Sequence, residues 1–181
     1  FRSGKGDAYT ATLSNYENPS MIASSSIIGL IGIAISYLIA IPLGSYMALF
    51  KNSWFDSIST AALTFMMSLP TIASVYIVRL AGSFFGLPDS FPVLGAQDWR
   101  SYVLPSLILG LLSAPFNAVW IRRYMIDIHS QDFVRFARSK GLSEREISKK
   151  HIFKNAMVPL VSGIPTSIIG VISGATLTET V

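Results

Sequence analysis

Charged residues punctuate this chain and leave four long apolar intervals between them. The runs 18–50, 57–78, 101–121 and 155–178 are 33, 22, 21 and 24 residues long and contain no Asp, Glu, Lys, Arg or His. A bilayer core about 30 Å thick is crossed by roughly 20 residues of helix, so each run is long enough to span it. The pattern predicts an all-α integral membrane protein with spans over about 21–50, 57–80, 102–123 and 156–178. Residues 1–20, polar and rich in Gly, Ser, Thr and Asn, form a separate outer segment. Small residues and prolines recur inside the spans: Gly29, Gly32, Pro42 and Gly44 in the first, Pro105, Gly110 and Pro115 in the third, Pro159, Gly163, Pro165, Gly170 and Gly174 in the fourth. In lipid such residues are close-packing sites between helices or tolerated breaks. So many in the fourth span suggest a bent helix against a central path. Met66 and Met67 in the second read as core filler.

One long polar stretch interrupts this pattern, DFVRFARSKGLSEREISKKHIFKN at 132–155, within a loop over 127–155. Phe133, Phe136 and Ala137 recur at i, i+3, i+4 with Arg135 and Arg138 off that stripe, which predicts a short helix with one apolar and one basic face. Gly141 supplies the backbone freedom of a helix C-terminus. Ser143 with Glu146 three residues on forms a capping box that starts a second helix. The expected structure is a helical hairpin.

Charge fixes its expected side. Residues 122–154 hold nine Lys/Arg and four Asp/Glu, while the rest of the chain holds five basic and six acidic residues, so the formal +4 of the protein resides in this segment. Basic residues of short loops stay on the cytoplasmic side. The hairpin is therefore expected to be cytoplasmic, loop 81–100 external, 51–56 internal and the start of the chain external. Trp54, Trp99 and Trp120 fall where interfacial aromatics belong. An external start, with Phe1 rather than Met, makes us expect an internal piece of a longer protein with an earlier span.

Composition excludes several chemistries. Only 13% of residues are charged, against about a quarter in soluble domains, and there is no cysteine for disulfides or thiolate catalysis. No H-E-x-x-H or G-x-S-x-G occurs, and no span holds a carboxylate pair. SGKG at 3–6 lacks the Ser or Thr that a phosphate loop needs after its Lys. His129 and His151 stand 22 residues apart with no Cys or clustered carboxylate beside them. A proton- or ion-coupled transporter would need ionisable groups at mid-bilayer, and these spans have none. What remains is a path whose energy arrives from elsewhere, or a membrane anchor with no path. The basic hairpin itself reads three ways: a topology signal lying on anionic lipid, a nucleic-acid site, against which Asp132, Glu144 and Glu146 speak, or a docking element for a soluble partner that would bury Phe133 and Phe136.

The run Ala137-Arg138-x-Lys140-Gly141, nine residues, then His151-x-Phe153-Lys154-Asn155-Ala156 with Pro159 beyond, resembles the "EAA" loop of ABC-importer permeases in its oligopeptide and dipeptide permease form. The general pattern is E-A-A, three residues, G, nine residues, I-x-L-P. Arg135 and Phe136 replace its Glu and first Ala, and H-I-F-K replaces I-x-L-P. The I-P-L-G at 41–44 and terminal T-E-T-V extend the likeness. It implies a type I ABC importer permease fold, here a fragment with four spans, and a multi-pass protein of the bacterial cell membrane. The implied cargo is oligopeptides, or dipeptides or nickel in the same family. It further implies as partners two cytoplasmic ATPase subunits, a homologous second permease and an extracytoplasmic peptide-binding protein, with no nucleic acid. ATP and Mg would be held by the ATPases, so this chain would have no cofactor and no enzyme activity of its own. Asp132, Phe133, Arg135, Phe136, Ala137, Lys140, Gly141, Ser143, Glu146 and His151 would couple the permease to the ATPase.

Overall fold

The structure is a computed structural model that describes residues 21–87 and 99–179, with side chains over 23–87 and 99–169. The expected outer segment 1–20, positions 88–98 of the second loop and the last two residues lie outside the described residues. Among the described residues every regular element is helical: α1 (Met21–Leu49), α2 (Trp54–Ser68), α3 (Thr71–Phe84), α4 (Arg100–His129), α5 (Asp132–Ser139), α6 (Glu144–Ile147), a π-helical segment (Ser148–Phe153) and α7 (Lys154–Glu179). Three stretches are single helices long and apolar enough to cross a membrane: Ala23–Leu49, Arg100–His129 and Glu144–Ile169.

The second span departs from the expectation of one continuous helix over 57–80. α2 ends at Ser68, and Leu69 turns extended with ψ 140°. The cause is Pro70, which disfavours a helical conformation in the residue before it and has no N–H for the ladder. Only α2 and α3 taken together reach the length and hydropathy of a span. The third helix also outruns its expected end at 123 by six residues, continuing to His129.

Backbone packing divides the chain into two units. One contains α1 up to Ile35, residues 71–111 and the end of α7 from Ser167. Here the small-residue expectation holds for Gly32 and Gly110. A Cβ on Gly32 would lie 2.9 Å from Leu109 Cβ, and one on Gly110 would lie 2.6 Å from Ile35 Cγ2. A hydrogen bond of 3.1 Å between the Ser24 and Tyr102 hydroxyls joins the same two helices.

The other unit comprises residues 36–70 and 112–166. α1 and α4 touch at Gly44, where a Cβ would collide with the Ala118 carbonyl oxygen and lie 2.9 Å from Ile121 Cβ. Asn117 Nδ2 donates to Ser36 Oγ at 2.9 Å alongside. Met47, Ile121, Met125, Val134, Ile147 and Ile152 head a single buried cluster drawn from α1, α4, α5, α6 and the π segment, which Ala156 and Leu160 extend into α7. Met66 and Met67 stand exposed instead of filling this core. Leu38, Trp54, Phe65 and Val158 are exposed as well, a surface that suits hydrocarbon surroundings.

Candidate functional site: a hairpin continuous with the last long helix

α4 ends at His129, and Ser130 Oγ donates to the Asp127 carbonyl at 2.7 Å to close the turn. α5 starts at once behind Gln131, which caps it through an extended backbone and no side-chain bond. Asp132 lies in the first turn, where a carboxylate favours the positive end of the helix dipole. Its contact with Arg135, 3.6 Å between two largely exposed groups, adds little.

α5 is strongly two-faced. Val134 and Ala137 are buried in the cluster, whereas Phe133 is 42% and Phe136 61% exposed. The expected stripe of Phe133, Phe136 and Ala137 therefore divides. Ala137 belongs to the inner face with Val134, which periodicity had not singled out, and both phenylalanines face outward. Lys140 Nζ sits 4.5 Å from the Phe136 ring centroid, a cation–π contact that leaves a flat, positively capped aromatic surface.

The turn at Gly141 has the form its sequence predicts. Gly141 adopts φ +80°, its N–H donates to the Arg138 carbonyl at 3.0 Å, and the Leu142 N–H reaches the Ala137 carbonyl at 3.4 Å. This pair of bonds is a Schellman C-cap, and Leu142 packs against the cluster that holds Ala137. Across the turn, Arg138 grips Glu144 with both Nε (2.5 Å) and Nη2 (3.0 Å). The same Nη2 donates to His129 Nε2 at 3.3 Å, which requires that nitrogen to be the unprotonated one. One guanidinium thus ties the end of α4, the end of α5 and the start of α6. The Arg138 bond holds the Glu144 carboxyl below the usual carboxylate range.

Ser143 caps α6 as expected, its Oγ accepting the Glu146 N–H at 3.3 Å. The reciprocal half of the capping box is absent: Glu146 Oε1 instead accepts from Lys150 Nζ at 2.6 Å. That ammonium draws the Glu146 carboxyl below its ordinary range as well. The second arm does not end before the last span. α6, the π segment and α7 run on without a break, and the buried positions Ile147, Ile152, Ala156 and Leu160 explain how. Their spacings are five, four and four, and the wider turn of a π segment absorbs the five, keeping one apolar face toward the core. A boundary at 155–156 therefore does not exist in the chain's helical structure. His151 lies in the π segment, and its carbonyl accepts Asn155 Nδ2 at 2.6 Å.

The structure gathers all ten expected coupling residues into this hairpin and its continuation. Sequence reasoning missed Val134, the bracing role of Arg138, Glu144 and His129, and an ion pair farther up the same unit between Asp56 and Arg122, at 2.6 and 2.7 Å. The braces join residues six and nine apart across a turn, a spacing with no helical signature. The Asp56 pair had a signal: opposite charges at the ends of two runs expected on one membrane face.

Residues 40–181 match the family described as binding-protein-dependent transport system inner membrane component. The oligopeptide transport system permease protein AmiC of Streptococcus pneumoniae is 75% identical over 178 residues, 98% of this chain and 36% of its own length. The glutathione transport system permease protein GsiC of Escherichia coli strain K12 is 34% identical over 120 residues, 66% of this chain and 38% of its own; its counterpart in Shigella flexneri gives the same figures. This chain spans little more than a third of the length of these relatives. With three apolar helices of spanning length and a family match over more than three quarters of its residues, the chain belongs to the binding-protein-dependent transport system inner membrane components.

Proposed function

We propose that this chain is the core of a permease subunit in an ATP-driven importer of oligopeptides, and that its hairpin is the docking element for a cytoplasmic ATPase. The observation that carries the reading is the division of α5. Its inner face is committed to the chain's own core while Phe133 and Phe136 stand outward on a capped, braced helix. Exposed aromatics on a rigid element suit a partner pocket. The second arm is one helix with the last span, so force applied at the hairpin enters the membrane without crossing a flexible joint.

The basic balance of the hairpin favours the cytoplasmic side of a bacterial membrane. The path would be shared with a second, homologous permease and fed by an external peptide-binding protein, with ATP and Mg held by two ATPase subunits. Oligopeptide cargo is favoured over dipeptides or nickel by the 75% identity to a permease named for oligopeptides. A glutathione permease among the relatives supports a peptidic substrate class.

Replacing Phe133 and Phe136 together by serine in the whole importer tests the docking. Both side chains are largely outside the chain's own core, so the protein is expected to accumulate normally in the membrane. Co-purification of the ATPase subunits and peptide uptake should both fall about tenfold or more, since two buried aromatic anchors are worth over about 2 kcal/mol. Unchanged co-purification and uptake would favour a membrane anchor whose basic loop only sets topology.

A further inference from the structure

Asp56 lies at the start of α2 and is 3% exposed, unusual for a carboxylate unless it is fully engaged. It is fully engaged. Oδ1 accepts Arg122 Nε at 2.6 Å, and Oδ2 accepts both Arg122 Nη2 at 2.7 Å and the Asn52 N–H at 3.0 Å. The Asp56 N–H in turn donates to Ser53 Oγ at 3.2 Å. Asn52 has φ +65°, the one positive φ at a non-glycine among the described residues. Asn is one of the few side chains that tolerates this left-handed conformation, and the bond from its N–H to Asp56 fixes the turn in that form. One carboxylate therefore fixes the turn between α1 and α2 and fastens it to α4.

Arg122 stands in a telling position on α4. Its neighbour Ile121 and the residue three further on, Met125, are both buried in the cluster that holds Val134 and Ala137 of the hairpin. A displacement of the hairpin would reach α4 at the turn of helix that carries the guanidinium, and the bidentate bond would hand it to the α1–α2 turn. A fork with two parallel hydrogen bonds fixes direction as well as distance, which a single point charge does not.

We propose that Asp56 and Arg122 are positioning residues for energy coupling: they lock the α1–α2 turn to α4 so that the hairpin, α4 and the start of α2 move as one body. The proposal rests on the transport reading above, but the lock itself can be measured without transport. In the whole importer, spin labels at Lys51→Cys and Ser139→Cys, both exposed positions, report the distance between the turn and the hairpin. The unsubstituted lock is expected to give one narrow distance distribution. Asp56→Asn should broaden it, and the exchange Asp56→Arg with Arg122→Asp, which restores the ion pair but offers the Asn52 N–H no acceptor, should narrow it in part. In unlabelled protein Asp56→Asn should lower the peptide taken up per ATP hydrolysed about tenfold while ATPase subunits still co-purify, and the exchange should recover part of that ratio. A merely structural pair would change protein amount and leave the ratio alone. Where Asp56→Asn fails to accumulate, Arg122→Lys, which keeps the charge and loses the fork, carries both measurements. An unchanged distance distribution, or an unchanged uptake per ATP, overturns the proposal. An importer with the native pair that hydrolyses ATP and moves no peptide overturns the transport reading instead, and the distance measurement still decides the lock.

Discussion

Gly141→Val is expected to lower peptide uptake about tenfold or more while the amount of protein in the membrane stays nearly unchanged. The reason is local. Gly141 holds φ +80°, where an L-residue costs about 1–2 kcal/mol and a β-branched one is a true outlier. A Cβ at this position meets nothing within 4 Å among the described residues, so the substitution strains backbone without disturbing the core. The strain is relieved by reopening the turn, which loses the bonds from Gly141 to Arg138 and from Leu142 to Ala137. The angle between α5 and α6 then changes, and with it the pose of Phe133 and Phe136. Asn tolerates a left-handed conformation far better, so Gly141→Asn should keep most of the hairpin geometry. Any uptake it loses then measures bulk against the ATPase and not the fold of the turn. Gly141→Trp combines both faults and should be the most severe. Uptake in cells and membrane immunoblots on the three variants separate these cases, and full uptake by Gly141→Val would remove the hairpin from the mechanism.

Gly44→Leu should act in the opposite way, on folding before function. Its Cβ would overlap the Ala118 carbonyl, a backbone atom that cannot swing aside, and press on Ile121 Cβ. α1 and α4 would be forced apart beside the buried cluster, at a cost toward or beyond the upper end of the about 1–3 kcal/mol typical of overpacking. Membrane levels and thermal stability in detergent are expected to drop together. Gly163→Leu is the matched control: the same change in the same unit, where the Cβ meets nothing within 4 Å among the described residues. It should be tolerated within the chain, and gains helix propensity of up to about 1 kcal/mol over glycine. Equal losses from both substitutions would contradict the α1–α4 contact.

How far the sequence could be read depended on the range of the interactions involved. Gly141 and Ser143 were legible because a C-cap and an N-cap are decided by neighbours within a few residues. The helices were legible because uncharged runs of spanning length leave few alternatives. Contacts between distant helices were only half legible. Small residues marked Gly32, Gly44 and Gly110 as close-packing sites, but not what they pack against. Phe133 and Phe136 stand exposed, as the docking reading expects, yet the same periodicity grouped Ala137 with them, since three residues cannot say which edge of a stripe the core takes. Val134 settled that. The break at Pro70 was not legible, because a proline alone does not announce one: Pro42, Pro159 and Pro165 sit inside continuous helices. The π segment escaped notice because a five-residue gap between Ile147 and Ile152 looks like lost periodicity until the two are seen on one face.

Energy coupling through the hairpin requires contact between the outward face of α5 and a motor subunit. The direct measurement is a crosslink from that face in the assembled importer, using a cysteine at Phe136 and another at Val161, which is equally exposed but lies well along the last long helix. The chain has no native cysteine to compete with either. A Phe136→Cys crosslink to an ATPase subunit, with none from Val161→Cys, is the predicted result. A label at Phe136→Cys that reaches no ATPase, or that reacts with membrane-impermeant reagents from outside the cell, would contradict it.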